Sequence, residues 1–384
     1  MMNFEFCNPV RIVFGKGEIA RLRELINKTD RVMMLYGGGS IKKNGVYDQV
    51  VAALSEHDVI EFSGIEPNPQ YATCMKAVTI ARKEQVGFLL AVGGGSVLDA
   101  TKFIAAAALY KDGDPWDILL KQAPVKKALP LGDVMTLPAT GSEMNAGAVI
   151  SRAEFKLKLF FGQPAVYPKF SILDPETTYT LPPRQTANGI VDAYVHVIEQ
   201  YLTFPANAPL QDRLAEAILL TLIEEGPKVL ADPQDYDARA TIMWAATNGL
   251  NGYISLGVPQ DWATHLIGHE ITAEYGLDHA QSLAVVLPGT MRVKRDQKRA
   301  KLLQYAERIF GLTDGSEDER IDRAIAATEE FFRAVGQKTK LSEYNIGPEA
   351  CDVIAKRISM YPFKLGEHGD IGEEEARKIL KLRV

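Results

Sequence analysis

Four of the six histidines lie in two segments whose spacing suits a metal ion. Asp192 and His196 are four residues apart, and His265 and His269 repeat the interval, so in a helix each pair emerges from one face. His279 follows ten residues after His269, beyond Gly276, where a glycine marks a helix end and a turn back. One carboxylate oxygen and three imidazole nitrogens form a donor set for Zn²⁺ or Fe²⁺, and either ion acts as a Lewis acid on an alcohol or carbonyl oxygen. That leaves one histidine spare. His57 and His368, isolated among charged neighbours, are read as ordinary surface or packed residues.

A second chemistry is written in glycine. The strand expected at Val32–Tyr36 runs into Gly37-Gly38-Gly39-Ser40, and one at 87–92 runs into Gly93-Gly94-Gly95-Ser96 before an alanine-rich helix over 97–108. Such turns let the backbone approach a ligand, and the free N–H groups of the following helix attract phosphate. Two in successive strand-to-helix turns suit a dinucleotide, although neither follows GxGxxG. Asp99, three residues into the second helix, either caps backbone N–H groups or faces the ligand. NAD-selective sites often hold the ribose hydroxyls with a carboxylate at the end of a strand. Here that place is glycine, with Ser40, Lys42 and Lys43 close by, which leaves room for a 2′-phosphate and favours NADP.

The elements that must carry these residues change texture along the chain. The first part alternates short apolar runs (59–62, 134–137, Phe170–Leu173) with helical patterns (41–57, 72–83), as βαβ units around a mostly parallel sheet do. Beyond Pro183 the windows are long and amphipathic, at 210–230, 237–250 and 298–309. The reading is an α/β dinucleotide-binding domain over 1–180 and an all-helical metal-binding domain over 181–384, with the cleft between them the default place for a site. A chain of 384 residues, 46% hydrophobic and 24% charged, is long enough for both. The formal charge of −6 without a basic run argues against nucleic-acid partners. No apolar run approaches the roughly 18 residues of a membrane span. Glu5, Asn8, Pro9 and Arg11 stand where a secretory leader would be apolar, so a cytoplasmic location is expected. Cys7, Cys74 and Cys351 are scattered and suit reduced thiols. Trp244 and Trp262 are read as core anchors, the latter also placed to line a pocket.

Taken together these residues resemble the iron-containing (group III) alcohol dehydrogenases over essentially the whole chain. The match includes Phe14-Gly15-Lys16-Gly17, Pro67-Asn68-Pro69, Gly93 to Ser96 with Asp99, Thr140-Gly141-Ser142-Glu143, and the aspartate and histidine intervals. Ala139 to Asn145 and Asp278-His279-Ala280-Gln281 look like the branch of NADPH-dependent butanol dehydrogenases and broad-specificity aldehyde reductases. The resemblance implies a Rossmann-like N-terminal domain, an all-α C-terminal domain in the dehydroquinate synthase-like architecture, and a homodimer. It implies Asp192, His196, His265 and His279 as ligands, with His269 as the non-ligand histidine near nicotinamide and substrate. Cofactor contacts are implied for Gly38, Ser40, Asn68, Gly94, Gly95, Ser96, Asp99, Thr136, Thr140, Ser142 and Lys158. Members favouring NAD commonly carry Asp where Gly38 stands.

The expected activity is hydride transfer between NADP(H) and a small uncharged alcohol or aldehyde, assisted by one divalent metal, Zn²⁺ or Fe²⁺. Apolar Trp262, Ile267, Ile271 and Leu283 around the metal segments favour it over a lyase or cyclase of the same fold, whose phosphorylated, carboxylated substrate needs clustered Lys and Arg. A non-catalytic dinucleotide sensor is the rival from another class, and it would turn over no aldehyde.

Overall fold

The computed structural model describes residues Met1–Val384. Eight strands form: β1 (Arg11–Phe14), β2 (Val32–Tyr36), β3 (Val59–Phe62), β4 (Phe88–Gly94), β5 (Leu131–Leu137), β6 (Gly147–Arg152), β7 (Leu157–Gly162) and β8 (Phe170–Leu173). Six of them make a sheet in the order β1-β8-β5-β4-β2-β3, parallel throughout, while β6 and β7 pair as an antiparallel hairpin. All five residues of β2 are buried, which is why it reads as an unbroken apolar run: both faces of a parallel sheet are covered. Met33, Leu35, Leu89, Ala91 and Met135 pack one face against the helices Tyr71–Lys83 and Gly95–Leu109. Val32, Met34, Leu90, Val92 and Ile172 pack the other against Ile19, Leu22, Val46 and Val50.

The strand order decides where a ligand fits. From β2 the chain moves outward to β3, then returns to β4 on the other side of β2 and continues to β5. The direction reverses between β2 and β4, and such a switch point opens a crevice at the carboxyl ends of the strands. Both glycine turns lie there.

By packing, the chain divides into a sheet unit, Cys7–Leu181 with Pro233–Thr247, and a helical unit made of Met1–Phe6, Pro182–Asp232 and Asn248–Val384. Two segments thus sit outside a division at 180/181. The Met2 N–H donates to the Gly257 carbonyl at 2.8 Å, tying the N-terminus to the helical unit, and Met243 packs in the core of the sheet unit. Periodicity identifies a helix but not the core it packs against. The helical unit is built from Pro183–Tyr201, Pro209–Ala231, Ala263–Tyr275, His279–Val293, Arg299–Phe310, Glu317–Ala334, Ala350–Ile358 and Glu373–Lys381. No helix is long and apolar enough to cross a membrane.

Three expectations of the sequence need correction. The helix expected over 41–57 is a 3₁₀ turn, Ser40–Lys42, and a separate helix Val46–Ala53, because Gly45 at φ 82° breaks the run. The hairpin β6–β7 lies where no strand is expected from the sequence. Trp244, read as a core anchor, is 43% exposed, its ring edge-on to Phe14 at 6.1 Å.

Candidate functional site

Asp192, His265 and His279 offer ligand atoms that all lie within 4.8 Å of one another. The Nε2 atoms of His279, His196 and His265 stand 3.5, 3.8 and 3.8 Å from the same Asp192 oxygen. Metal–ligand bonds of about 2.0–2.2 Å in a tetrahedron put ligand atoms roughly 3.3–3.6 Å apart, so the spacing suits one small cation. His196 falls outside the tightest group, its ring stacked on His265 at 4.5 Å, yet it borders the same oxygen. His269 stands beside the cluster, 5.0 Å ring to ring from His279.

Three helices position the group. Pro183 opens the first at a residue whose missing N–H costs nothing there, and Asp192 and His196 project from one buried face. The second, Ala263–Tyr275, begins at Trp262, held in the left-handed region at φ 61°, a conformation that costs a non-glycine residue about 1–3 kcal/mol. Its ring lies 5.3 Å from His265 and 6.2 Å from His196. The helix stops at Gly276, φ 73°, as the sequence indicated. The third starts with His279 because Asp278 and Gln281 form a capping box.

One residue that sequence reasoning missed completes the arrangement. Glu199 accepts the N–H of Thr264 at 2.6 Å and of His265 at 3.2 Å, capping the second helix, and also takes a short hydrogen bond from His265 Nδ1. This leaves Nε2 as the available lone pair of His265; it is buried and makes no hydrogen bond. An orphaned imidazole nitrogen facing a buried carboxylate is what a metal ligand looks like without its ion, so the residues fit a divalent cation. The electrostatics agree: burial alone pushes an imidazolium down, but Glu199 and Asp192 carry His265 up to about 9. A cluster that draws a proton so strongly also draws a cation. Glu199 was legible in principle, being seven residues from Asp192 and three from His196 on the same helix face. Glu199→Gln should lower metal affinity by roughly 10- to 100-fold while the protein stays folded, read by titration with a chelator; unchanged affinity would remove Glu199 from the site.

Ile267, Ile271 and Leu283 are fully buried. Ile267 and Ile271 belong to the helical core, so these two give no support to an uncharged substrate, whereas the Trp262 ring lies beside His196 and His265. Helix positions two apart do not share a face, which is why nearness in sequence to His265 and His269 misled.

The expected cofactor residues all belong to the sheet unit, with the two glycine turns at its switch point. Gly37 to Ser40 follow β2, Asn68 follows β3, Gly94 ends β4, Gly95 and Ser96 open the helix Gly95–Leu109, Thr136 lies on β5, Thr140 and Ser142 follow it, and Lys158 is on β7. No acidic residue occupies the first turn of that helix, so its N–H groups and dipole are open to an anion. Packing also demands these glycines. A Cβ on Gly95 would come within 2.5 Å of the Thr140 hydroxyl, and one on Gly94 within 2.9 Å of Leu137. Asp99 does not cap its own helix: it accepts the Ser142 hydroxyl at 2.7 Å and the N–H of Val149, on β6, at 2.9 Å. Lys102, also missed, is buried beneath the 140–147 loop, and its ammonium bonds the carbonyls of Ser142, Asn145 and Gly147 at 2.7–2.8 Å. Asp99 and Lys102 therefore shape the loop that carries Thr140.

A parallel sheet with two phosphate-ready turns, and a helical unit with a carboxylate–imidazole cluster, define a class, and the chain belongs to it: the iron-containing alcohol dehydrogenase family. Residues 9–175 match "Iron-containing alcohol dehydrogenase" and residues 186–383 match "Fe-containing alcohol dehydrogenase family, C-terminal". The chain is 58% identical over 382 residues to the NADPH-dependent aldehyde reductase YqhD of Escherichia coli strain K12, covering 99% of each. The crystal structure of E. coli K-12 YqhD superposes with a TM-score of 0.98 at 57% identity, covering 100% of this chain and 99% of that one. A probable NADH-dependent butanol dehydrogenase 1 of Bacillus subtilis strain 168 is 44% identical over 386 residues, again 99% of each. Those two relatives are named for different cofactors, so the choice between them rests on residues.

Proposed function

We propose that this protein is a metal-dependent aldehyde reductase that uses NADPH and acts on small uncharged aldehydes and the corresponding alcohols. The observation that carries the reading is His265, with Nδ1 held by Glu199 and Nε2 directed at the Asp192 carboxylate. Asp192, His196, His265 and His279 hold one divalent ion, a donor set that accepts Zn²⁺ or Fe²⁺. When bound, the ion supplies Lewis acidity at a carbonyl oxygen and the reduced nicotinamide supplies hydride. The turns Gly37–Ser40 and Gly93–Ser96 bind the dinucleotide phosphates through backbone N–H groups. Asp99, Ser142 and Lys102 keep the Thr140 loop in place, and the positive charge of Lys158 acts on Asp99. Similarity to the E. coli aldehyde reductase supports the substrate class.

His269, close to the ligands but outside their group, holds and passes the proton at a ring nitrogen. His269→Ala should keep its metal while kcat falls by roughly 10²-fold or less, since water replaces such a relay in part. A metal-free His269 variant would mean that the wrong histidine was set apart. The overall reading is tested by elemental analysis of the purified protein together with an aldehyde panel and both reduced cofactors. Absence of turnover with every aldehyde would sink it. A homodimer is supported by β1, an edge strand of the sheet, with the exposed Phe14 and Trp244 rings alongside, and is measured by light scattering. A cytoplasmic setting is supported by the exposed free thiol of Cys7.

A further inference from the structure

The end of β2 has a carboxylate beside it after all, and it arrives from the neighbouring strand. In the β2–β3 register Glu61 pairs with Met34. Its Oε2 accepts the Tyr36 hydroxyl at 2.6 Å, and its Oε1 accepts the Tyr47 hydroxyl at 2.5 Å. Lys42 closes the 3₁₀ turn that follows Gly37 to Gly39, and its ammonium lies 3.4 Å from Glu61 Oε2. The same ammonium stands 4.5 Å from the Tyr47 ring centre and 5.1 Å from that of Tyr36, both within cation–π range.

Two consequences follow from this geometry. First, the Lys42 side chain is fixed by a counter-charge and two rings while remaining 46% exposed, so a charge normally carried on a mobile stem is preorganised beside the turn. Second, three of the roughly four lone-pair positions of Glu61 are already taken, which leaves little acceptor capacity for the two hydroxyls of an unphosphorylated ribose. Although burial alone would raise it, the carboxyl is held below the usual range by Tyr36, Tyr47 and Lys42, so the pair is ionised at neutral pH. Beside it, a Cβ on Gly38 would meet nothing within 4 Å, so the turn leaves space for a phosphate.

We propose that Lys42, parked against Glu61 between Tyr36 and Tyr47, is the specificity-determining cation that receives the adenosine 2′-phosphate; the proposal rests on the NADPH reading above. Lys43, its neighbour, has no such cage. Glu61 serves as the resting partner that Lys42 exchanges for the phosphate, and it is a like charge that the phosphate must approach.

The test is equilibrium binding by calorimetry on the full chain, with NADPH, NADH, 2′,5′-ADP and 5′-AMP as the probes. Lys42→Met should weaken NADPH and 2′,5′-ADP by roughly 10- to 100-fold, the value of one charge-assisted hydrogen bond, and leave NADH and 5′-AMP within about 2-fold. Lys42→Arg should restore most of the loss. Glu61→Gln should tighten 2′,5′-ADP by up to about 5-fold, because an exposed competing ion pair is removed, and again leave 5′-AMP alone. If the parent protein prefers 2′,5′-ADP over 5′-AMP and Lys42→Met keeps that preference, the assignment of Lys42 is overturned while the cofactor reading stands. If the parent shows no preference, the cofactor reading itself is overturned, and this proposal with it.

Discussion

His196→Ala and His265→Ala should each lose the metal and the activity together. The Asp192 carboxylate is buried and borders both imidazoles, so removing either leaves its charge with fewer partners and the ion with an incomplete donor set. A Lewis acid contributes several kcal/mol to a carbonyl reduction, and about 1.4 kcal/mol is one decade, so kcat/KM should fall by roughly 10³-fold or more. Metal content by elemental analysis and single-turnover reduction of an aldehyde read the two effects separately. Stoichiometric metal in both purified variants would refute the ligand set.

Gly38→Asp reverses the cofactor preference. The parent enzyme should favour NADPH over NADH by about 10- to 100-fold in kcat/KM, the return on one charge-assisted hydrogen bond to the 2′-phosphate. The substitution is sterically free, because a Cβ at position 38 meets nothing within 4 Å and the residue is not among the glycines at positive φ. Its neighbour Gly39, at φ 92°, would be strained by the same change. The new carboxylate repels the phosphate and accepts hydrogen bonds from both ribose hydroxyls of NADH, a role Glu61 cannot fill while Tyr36, Tyr47 and Lys42 hold its oxygens. Steady-state kinetics with both cofactors on parent and variant decide the matter. A parent enzyme that uses NADH as well as NADPH removes the basis of the argument, whatever the variant does.

The carboxylate–imidazole cluster was legible because helical spacing is local: Asp192 and His196, four apart, share a face whatever else the chain does. The glycine turns were legible for a similar reason, since strand, glycine and helix follow one another directly. What sequence could not give is which neighbour each element meets. Glu61 reaches the β2 turn only through the pairing of β3 with β2, and nothing within residues 59–62 announces that register. The carboxylate that seemed missing from the end of one strand was standing on another. Lys102 and Asp99 tell the same story: their partners lie some 40 to 50 positions away, in a loop placed by β5 and the hairpin. Glu199 differs, since its position on the Asp192 face was in plain view and only its second use, as a helix cap, required the fold.

That second use ties the fate of the ion to the fate of the fold. The carboxylate that orients His265 also satisfies the first N–H groups of the helix Ala263–Tyr275, so whatever settles His265 settles the start of that helix. A ligand that binds only the native state adds its binding free energy to the free energy of unfolding, about 2.7 kcal/mol once its concentration reaches 100 times its Kd. Metal supply would then act as a form of quality control. Chains that have not acquired the ion should populate opened forms more often and be cut faster by proteases, which would enrich the surviving population in molecules able to work.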